Sequence, residues 1–147
     1  ELKVTRPNPY QWDVTGHRGV IKIFYTLFAN HGDGTYAQIA ETHAHLNIPA
    51  TFVYAPSLEN QPVHIKFHPR KDLSWKIATQ LKPLGENEYY APNLDYFMDS
   101  PVEISNHQIR SFKAGSGDKE YRINFVLADD TLNCIFNQAI NLSLAIL

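Results

Sequence analysis

One cysteine, Cys134, in 147 residues rules out an internal disulfide and any cysteine-based zinc cluster, while leaving the redox compartment open. Packing and hydrogen bonding must hold the chain together. No apolar run approaches the ~18 residues of a membrane span, and no block of like charge occurs. Thirteen basic and fifteen acidic side chains give a formal net charge of −2, dispersed along the sequence. Neither a nucleic acid nor a membrane is therefore expected as a partner. Internal repeats, low-complexity stretches and interior linkers are missing too. The chain opens at Glu1 with neither an initiator Met nor a signal-like segment, which reads as a processed form or a piece of a longer precursor.

The H-E-x-x-H pattern, in which two histidines one helical turn apart hold zinc and a glutamate activates water, is also lacking. His64 and His68 have the spacing, but Ile65 stands where the glutamate belongs. Their surroundings alternate as a strand, and on a strand they would lie roughly 13 Å apart at ~3.3 Å per residue. A solvated strand face is the simpler reading of that pair.

What the chain does contain is 44% hydrophobic and 12% aromatic residues, enough for one globular domain. Arg18 to Asn30, RGVIKIFYTLFAN, is rich in β-branched and aromatic residues and predicts a long strand. One of its faces carries Ile21, Ile23, Tyr25 and Leu27; the other mixes Lys22 and Thr26 with Val20, Phe24 and Phe28. Val63, Ile65 and Phe67 alternate with His64, Lys66 and His68, and Trp75, Ile77, Thr79 and Leu81 with Lys76, Ala78, Gln80 and Lys82. Both stretches read as half-buried strands. Ile109 to Phe112 and Tyr121 to Leu127 predict a hairpin through Gly115-Ser116-Gly117-Asp118, where glycines supply positive φ without steric cost. Short helices are predicted over Ala50 to Tyr54, after Asn47 and Pro49, and over Asn93 to Met98, after Pro92. Leu132, Ile135, Phe136, Ala139, Ile140, Leu144 and Leu147 fall at helical spacing behind Asp129-Asp130-Thr131, which predicts an amphipathic C-terminal helix. The fold class expected is mainly β: an antiparallel β-sandwich with short helical insertions and that final helix.

Asp95 to Ser105, DYFMDSPVEIS, is the most telling stretch. Pro101 fixes its own φ and biases Ser100 away from the helical region, so a helical piece ends at Asp99 and extended chain restarts at Val102. Asp99 and Glu103 thus flank a rigid corner. Two carboxylates so placed can be read as an acid and base pair, or as groups accepting backbone N–H bonds in a turn. Glu41, His43 and His45 would share one face of an extended segment, and carboxylate with imidazole suits zinc, iron or manganese. A further ligand would have to come from Asp33, His31 or His107, and hydrogen-bonded structural histidines are the alternative. Cys134 as a nucleophile would need an adjacent base; as a small hydrophobe in an apolar helix it needs nothing. Tyr89, Tyr90, Tyr96, Trp12 and Trp75 supply either a stacking platform for sugar rings or core filling, and core filling is expected for both tryptophans.

The DSPVEI phrase, together with THAHLNIPATFVYA at Thr42 to Ala55, resembles the N-terminal domain of the glycyl-aminopeptidase-type zinc metallopeptidases, metallopeptidase family 61. The likeness is strongest over Gly34 to Leu81 and Asn93 to Ile104. It implies that residues 1–130 form the β-sandwich N-terminal domain and that 131–147 begin a helix leading into a catalytic domain. That domain would carry the zinc, commonly followed by a PDZ-type domain. No cofactor is then expected in this fragment, and by itself it should not cleave peptides. Its partners would be the catalytic domain of the same polypeptide and a peptide substrate. By analogy with related aminopeptidases, Glu103, and after it Asp99, are the residues expected near the substrate's amino end. The alternative functions are a stand-alone ligand- or carbohydrate-binding β-sandwich, and a small metal enzyme built on Glu41, His43 and His45.

Overall fold

The computed structural model describes residues 2–115 and 119–127. Eleven strands and two short α-helices are found in them. A hairpin of β1 (Lys3–Asn8) and β2 (Gln11–Thr15) comes first, followed by β3 (Gln38–Ile39), β4 (His43–Leu46), α1 (Ile48–Thr51) and a 3-10 turn at Pro56–Leu58. Then come β5 (Val63–Lys66), β6 (Lys76–Thr79), β7 (Lys82–Gly85), β8 (Glu88–Ala91), α2 (Leu94–Met98) and β9 (Val102–Ser105). β10 (Gln108–Ala114) and β11 (Tyr121–Leu127) form a second hairpin. Every pairing is antiparallel. One sheet runs β3-β4-β9-β6 and another β5-β8-β7.

The core follows from alternation. In β4 the histidines face outward while Ala44 and Leu46 turn inward; in β9 Val102 and Ile104 turn inward. Both join one cluster with Ala91 of β8, Phe67, Leu81, Ile48 of α1 and Phe97 of α2, with Val63, Ile65 and Ile77 packed against it. Each sheet thus supplies one face to a shared apolar cluster. Burying a Leu, Ile, Val or Phe side chain contributes ~1.5–3 kcal/mol, so this cluster is the main source of stability. Phe52 and Phe97, 5.4 Å apart at the ring centroids, join α1 to α2.

Sequence expectations held where the signal was local. α2 starts one residue inside the expected bounds because Asn93 caps it: its Oδ1 accepts from the Tyr96 N–H at 2.9 Å. Extended chain restarts at Val102 after Pro101, as anticipated. The Gly115 end of the β10–β11 turn has φ +105; residues 116–118 lie outside the described part. α1 spans Ile48–Thr51 rather than Ala50 to Tyr54, since Pro49 sits in its first turn and Phe52 is already extended. The strand predicted over Trp75 to Leu81 is only Lys76–Thr79, because the chain bends at Gln80 and Leu81 to begin β7.

The largest correction concerns Arg18 to Asn30. These residues form no strand ladder with any described residue; a single antiparallel bridge joins Asn30 to Gln38. A strand exists only by virtue of a partner, and β3, the nearest edge, is two residues long. Trp12 is a second correction: it is exposed on β2, with the Arg6 guanidinium 5.2 Å from its ring, and fills no core. The C-terminal helix predicted beyond Asp130, with Cys134, lies outside the described residues. No helix among them is long and apolar enough to cross a membrane.

Candidate functional site

Strand register assembles the site. On the outward face of the four-stranded sheet, Gln38, His45, Glu103 and Ala78 stand opposite one another in a row across β3, β4, β9 and β6. His43, Ser105 and Lys76 form the neighbouring row. These side chains lie on the face opposite Ala44, Leu46, Val102 and Ile104, which are drawn into the core, and Ser105 among them is itself buried.

His45 Nδ1 lies 3.5 Å from Glu103 Oε2, and His43 Nε2 lies 3.2 Å from Gln38 Oε1. An open recess of about 590 Å³ borders this row, lined by Asp33, Gln38, His43, His45, Glu103 and Val126 among others. Asp33 is oriented by its own loop: Oδ1 accepts from the Thr35 N–H and hydroxyl, each at 2.7 Å, and Oδ2 lies 3.0 Å from His31 Nε2. Those Thr35 bonds, the backbone one foremost, hold the Asp33 carboxyl below the usual carboxylate range. The recess therefore carries negative charge at neutral pH. Gly32 makes room for it, since a Cβ there would come within 2.5 Å of Gln38 Oε1, the atom that meets His43.

The sequence candidates separate cleanly. Glu103, His43 and His45 meet at the recess, whereas Glu41 is exposed before β4 and is not among its lining residues. Among the described residues no group of three or more His, Cys, Asp or Glu is placed to hold a metal ion. Asp99 lies elsewhere. It ends α2, its N–H donating to the Asp95 carbonyl and its own carbonyl accepting from Gln80 Nε2 at 2.9 Å. The main chain of Asp99, not its carboxylate, makes those turn contacts. Ser100, fully buried, donates from Oγ to the Tyr96 carbonyl and accepts from Gln80 Nε2, and the Tyr96 hydroxyl donates to the Gln80 carbonyl. The DSP corner is thereby pinned to the bend between β6 and β7, which aims β9 and with it Glu103.

Asp33 lines the recess beside the histidine face and His31 stands behind it, bonded to Asp33. His107 is fully buried instead, with Nδ1 3.2 Å from Ser105 Oγ and Nε2 without a partner among the described residues. Desolvation first, then the Lys76 charge, push its pKa down. Gln38 was missed, since a glutamine within a two-residue strand has no distinguishing signal in one sequence. The aromatic residues form no common platform. Tyr89 packs against the core, its ring centroid 5.8 Å from that of Phe67, and Tyr90, adjacent on β8, pairs with His64 at 5.4 Å. Burial raises the Tyr89 pKa.

Fold and site together define a β-rich antiparallel domain with a carboxylate-lined recess on the polar face of one sheet. Its sequence matches the Peptidase M61 N-terminal domain over residues 1–106, and the chain belongs to that family. Among solved structures, it is similar to an aminopeptidase N family protein from Idiomarina loihiensis at 19% identity and a TM-score of 0.49, over 60% of this chain. The matched part is 16% of that protein's chain. No curated protein matches the sequence.

Proposed function

We propose that this domain is a noncatalytic part of a peptidase, packs on the catalytic domain of the same polypeptide, and lends Glu103 to the wall that receives a peptide's free amino end. The observation that carries this reading is the placement of Glu103, which borders an open recess shared with the ionised Asp33. Two carboxylates at one recess attract an α-ammonium group, and fixed charges of this kind govern orientation and selectivity more than raw affinity. His45, opposite Glu103 in the sheet, limits where that carboxylate can turn. The shared core of the two sheets supports reading them as a sandwich, a rigid base for such a wall. Membership of a peptidase N-terminal family supports the catalytic domain as partner. In this reading zinc belongs to the partner domain and this one needs no cofactor.

The test uses the polypeptide that carries this domain together with its catalytic domain. Glu103→Gln should raise KM for a glycyl anilide about tenfold, the effect of ~1.4 kcal/mol, with kcat nearly unchanged. Asp99→Asn, outside the recess, should leave KM within about twofold. An unaltered KM in Glu103→Gln removes the residue from the substrate wall. Glycyl-anilide hydrolysis by the purified 147-residue chain alone would refute the noncatalytic assignment.

A further inference from the structure

The segment that predicts a strand yet pairs with none among the described residues is also the most apolar exposed stretch in them. All nine residues from Val20 to Phe28, VIKIFYTLF, are exposed. Exposure differs by row: Val20, Phe24 and Phe28 are 78%, 90% and 89% exposed, whereas Ile21, Ile23, Tyr25 and Leu27 are 39%, 61%, 50% and 36%. The second row is the less exposed of the two, and from it the Tyr25 hydroxyl donates to the Thr51 carbonyl at 2.7 Å. The segment is anchored at its far end too, where the Ile39 N–H donates to the Ala29 carbonyl at 2.8 Å and Asn30 bridges to Gln38. Its C-terminal end therefore lies along β3, the edge strand of the four-stranded sheet. Exposed edges are ordinarily protected by charge or proline, and here Lys22 alone does so.

We propose that residues 20–28 pair antiparallel with the same segment of a second copy of this chain, on a twofold axis through Phe24. The sequence is self-complementary about that residue. Ile21 meets Leu27 and Ile23 meets Tyr25 on the inner row; Val20 meets Phe28 and Phe24 meets Phe24 on the outer row. Apolar and aromatic cross-strand pairs are the stabilising units of a sheet. Lys22 meets Thr26, so the two lysines stand four positions apart along the ribbon, roughly 13 Å. A register centred on Lys22 would set them directly opposite, which like-charge repulsion disfavours. No acidic side chain lies in the segment to call for a basic partner. The rings of Phe24 and Phe28, about nine-tenths exposed in one chain, cover part of one another's flanks across the pair and the main-chain ladder adds the rest, an interface below the ~1,200 Å² of standard complexes and in keeping with a weak, micromolar dimer. The pairing is isologous and closes at two chains.

The whole chain, at about 1 to 100 µM in sedimentation equilibrium, a span chosen around micromolar affinities, should show a monomer–dimer equilibrium. Phe24→Lys puts two cations on the axis and should weaken the dimer at least about 30-fold. Phe24 is too exposed for that change to alter folding, and an unchanged far-UV spectrum and melting curve verify this. In a Cys134→Ser background, Phe24→Cys should cross-link two chains in oxidised glutathione, because residues directly opposite in such a pair have Cα atoms about 5 Å apart, within disulfide reach. Ile39→Cys in the same background, off the axis, should not. A monomer throughout the range overturns the proposal, and so does a dimer indifferent to Phe24→Lys.

Discussion

His45 and Glu103 stand directly opposite each other on β4 and β9, Nδ1 to Oε2 at 3.5 Å, with side chains 38% and 23% exposed. The separation is long for a hydrogen bond and the site is wet, so the pair positions a carboxylate rather than holding the sheet together. The sheet at that point is held by Val102 and Ile104 on the other face.

Glu103→Gln should accordingly change the free energy of unfolding by less than ~1 kcal/mol. Urea melts of the two proteins, fitted with a common slope, test this. A larger loss would make Glu103 a structural residue and any kinetic effect of its replacement ambiguous.

Ile48→Ala should be costly. Ile48 is fully buried in the cluster shared by the two sheets and both helices, and truncating a buried isoleucine costs ~2–5 kcal/mol. Val20→Ala, on an exposed segment, should stay within ~0.5 kcal/mol in the same urea melts at low protein concentration.

Asn93→Ala should destabilise by ~0.5–2 kcal/mol through loss of the bond to the Tyr96 N–H, while Asn93→Asp, an equally good cap, should retain most of the stability. Thermal melts of the pair of variants separate capping from any other role of the side chain.

His107 predicts a pH dependence. Its folded pKa lies below the ordinary 6.5, chiefly through burial and next through Lys76, with Glu103 opposing. The unfolded chain therefore binds the proton more readily. Stability should be fully present above pH 6.5 and fall as pH drops toward the folded pKa. His107→Gln should flatten that slope between pH 7.5 and 5 in urea midpoints, whatever it does to stability at pH 7.5, a window set about the ordinary histidine value.

Gly115→Ala should destabilise by ~1–3 kcal/mol. Its φ of +105 disfavours any L side chain, and a Cβ there would run into the Lys119 carbonyl. Thermal unfolding that is unchanged in this variant would show that the β10–β11 connection relaxes freely.

How much of this was legible in the chain depended on distance along it. A short helix up to Met98, Pro101 following it, the alternation of Val63 to Lys66 and the glycine-containing turn after Ala114 are consequences of residues within a few positions of one another. The histidine face was legible for the same reason, since His43 and His45 are two apart. Its complement was not. Asp33, Gln38 and Glu103 join it only through the order β3-β4-β9 and the loop before β3.

By itself, then, the sequence determined the β class, the end of α2, the corner at Pro101 and the family, because local backbone preference and side-chain alternation act without reference to remote partners. Tertiary structure decided which strands pair, which carboxylate reaches the recess, and that His107 is buried. It also left Val20 to Phe28 without a ladder among the described residues, against a strong intrinsic preference for strand. The physical reason is that a β-strand is completed by hydrogen bonds to another strand.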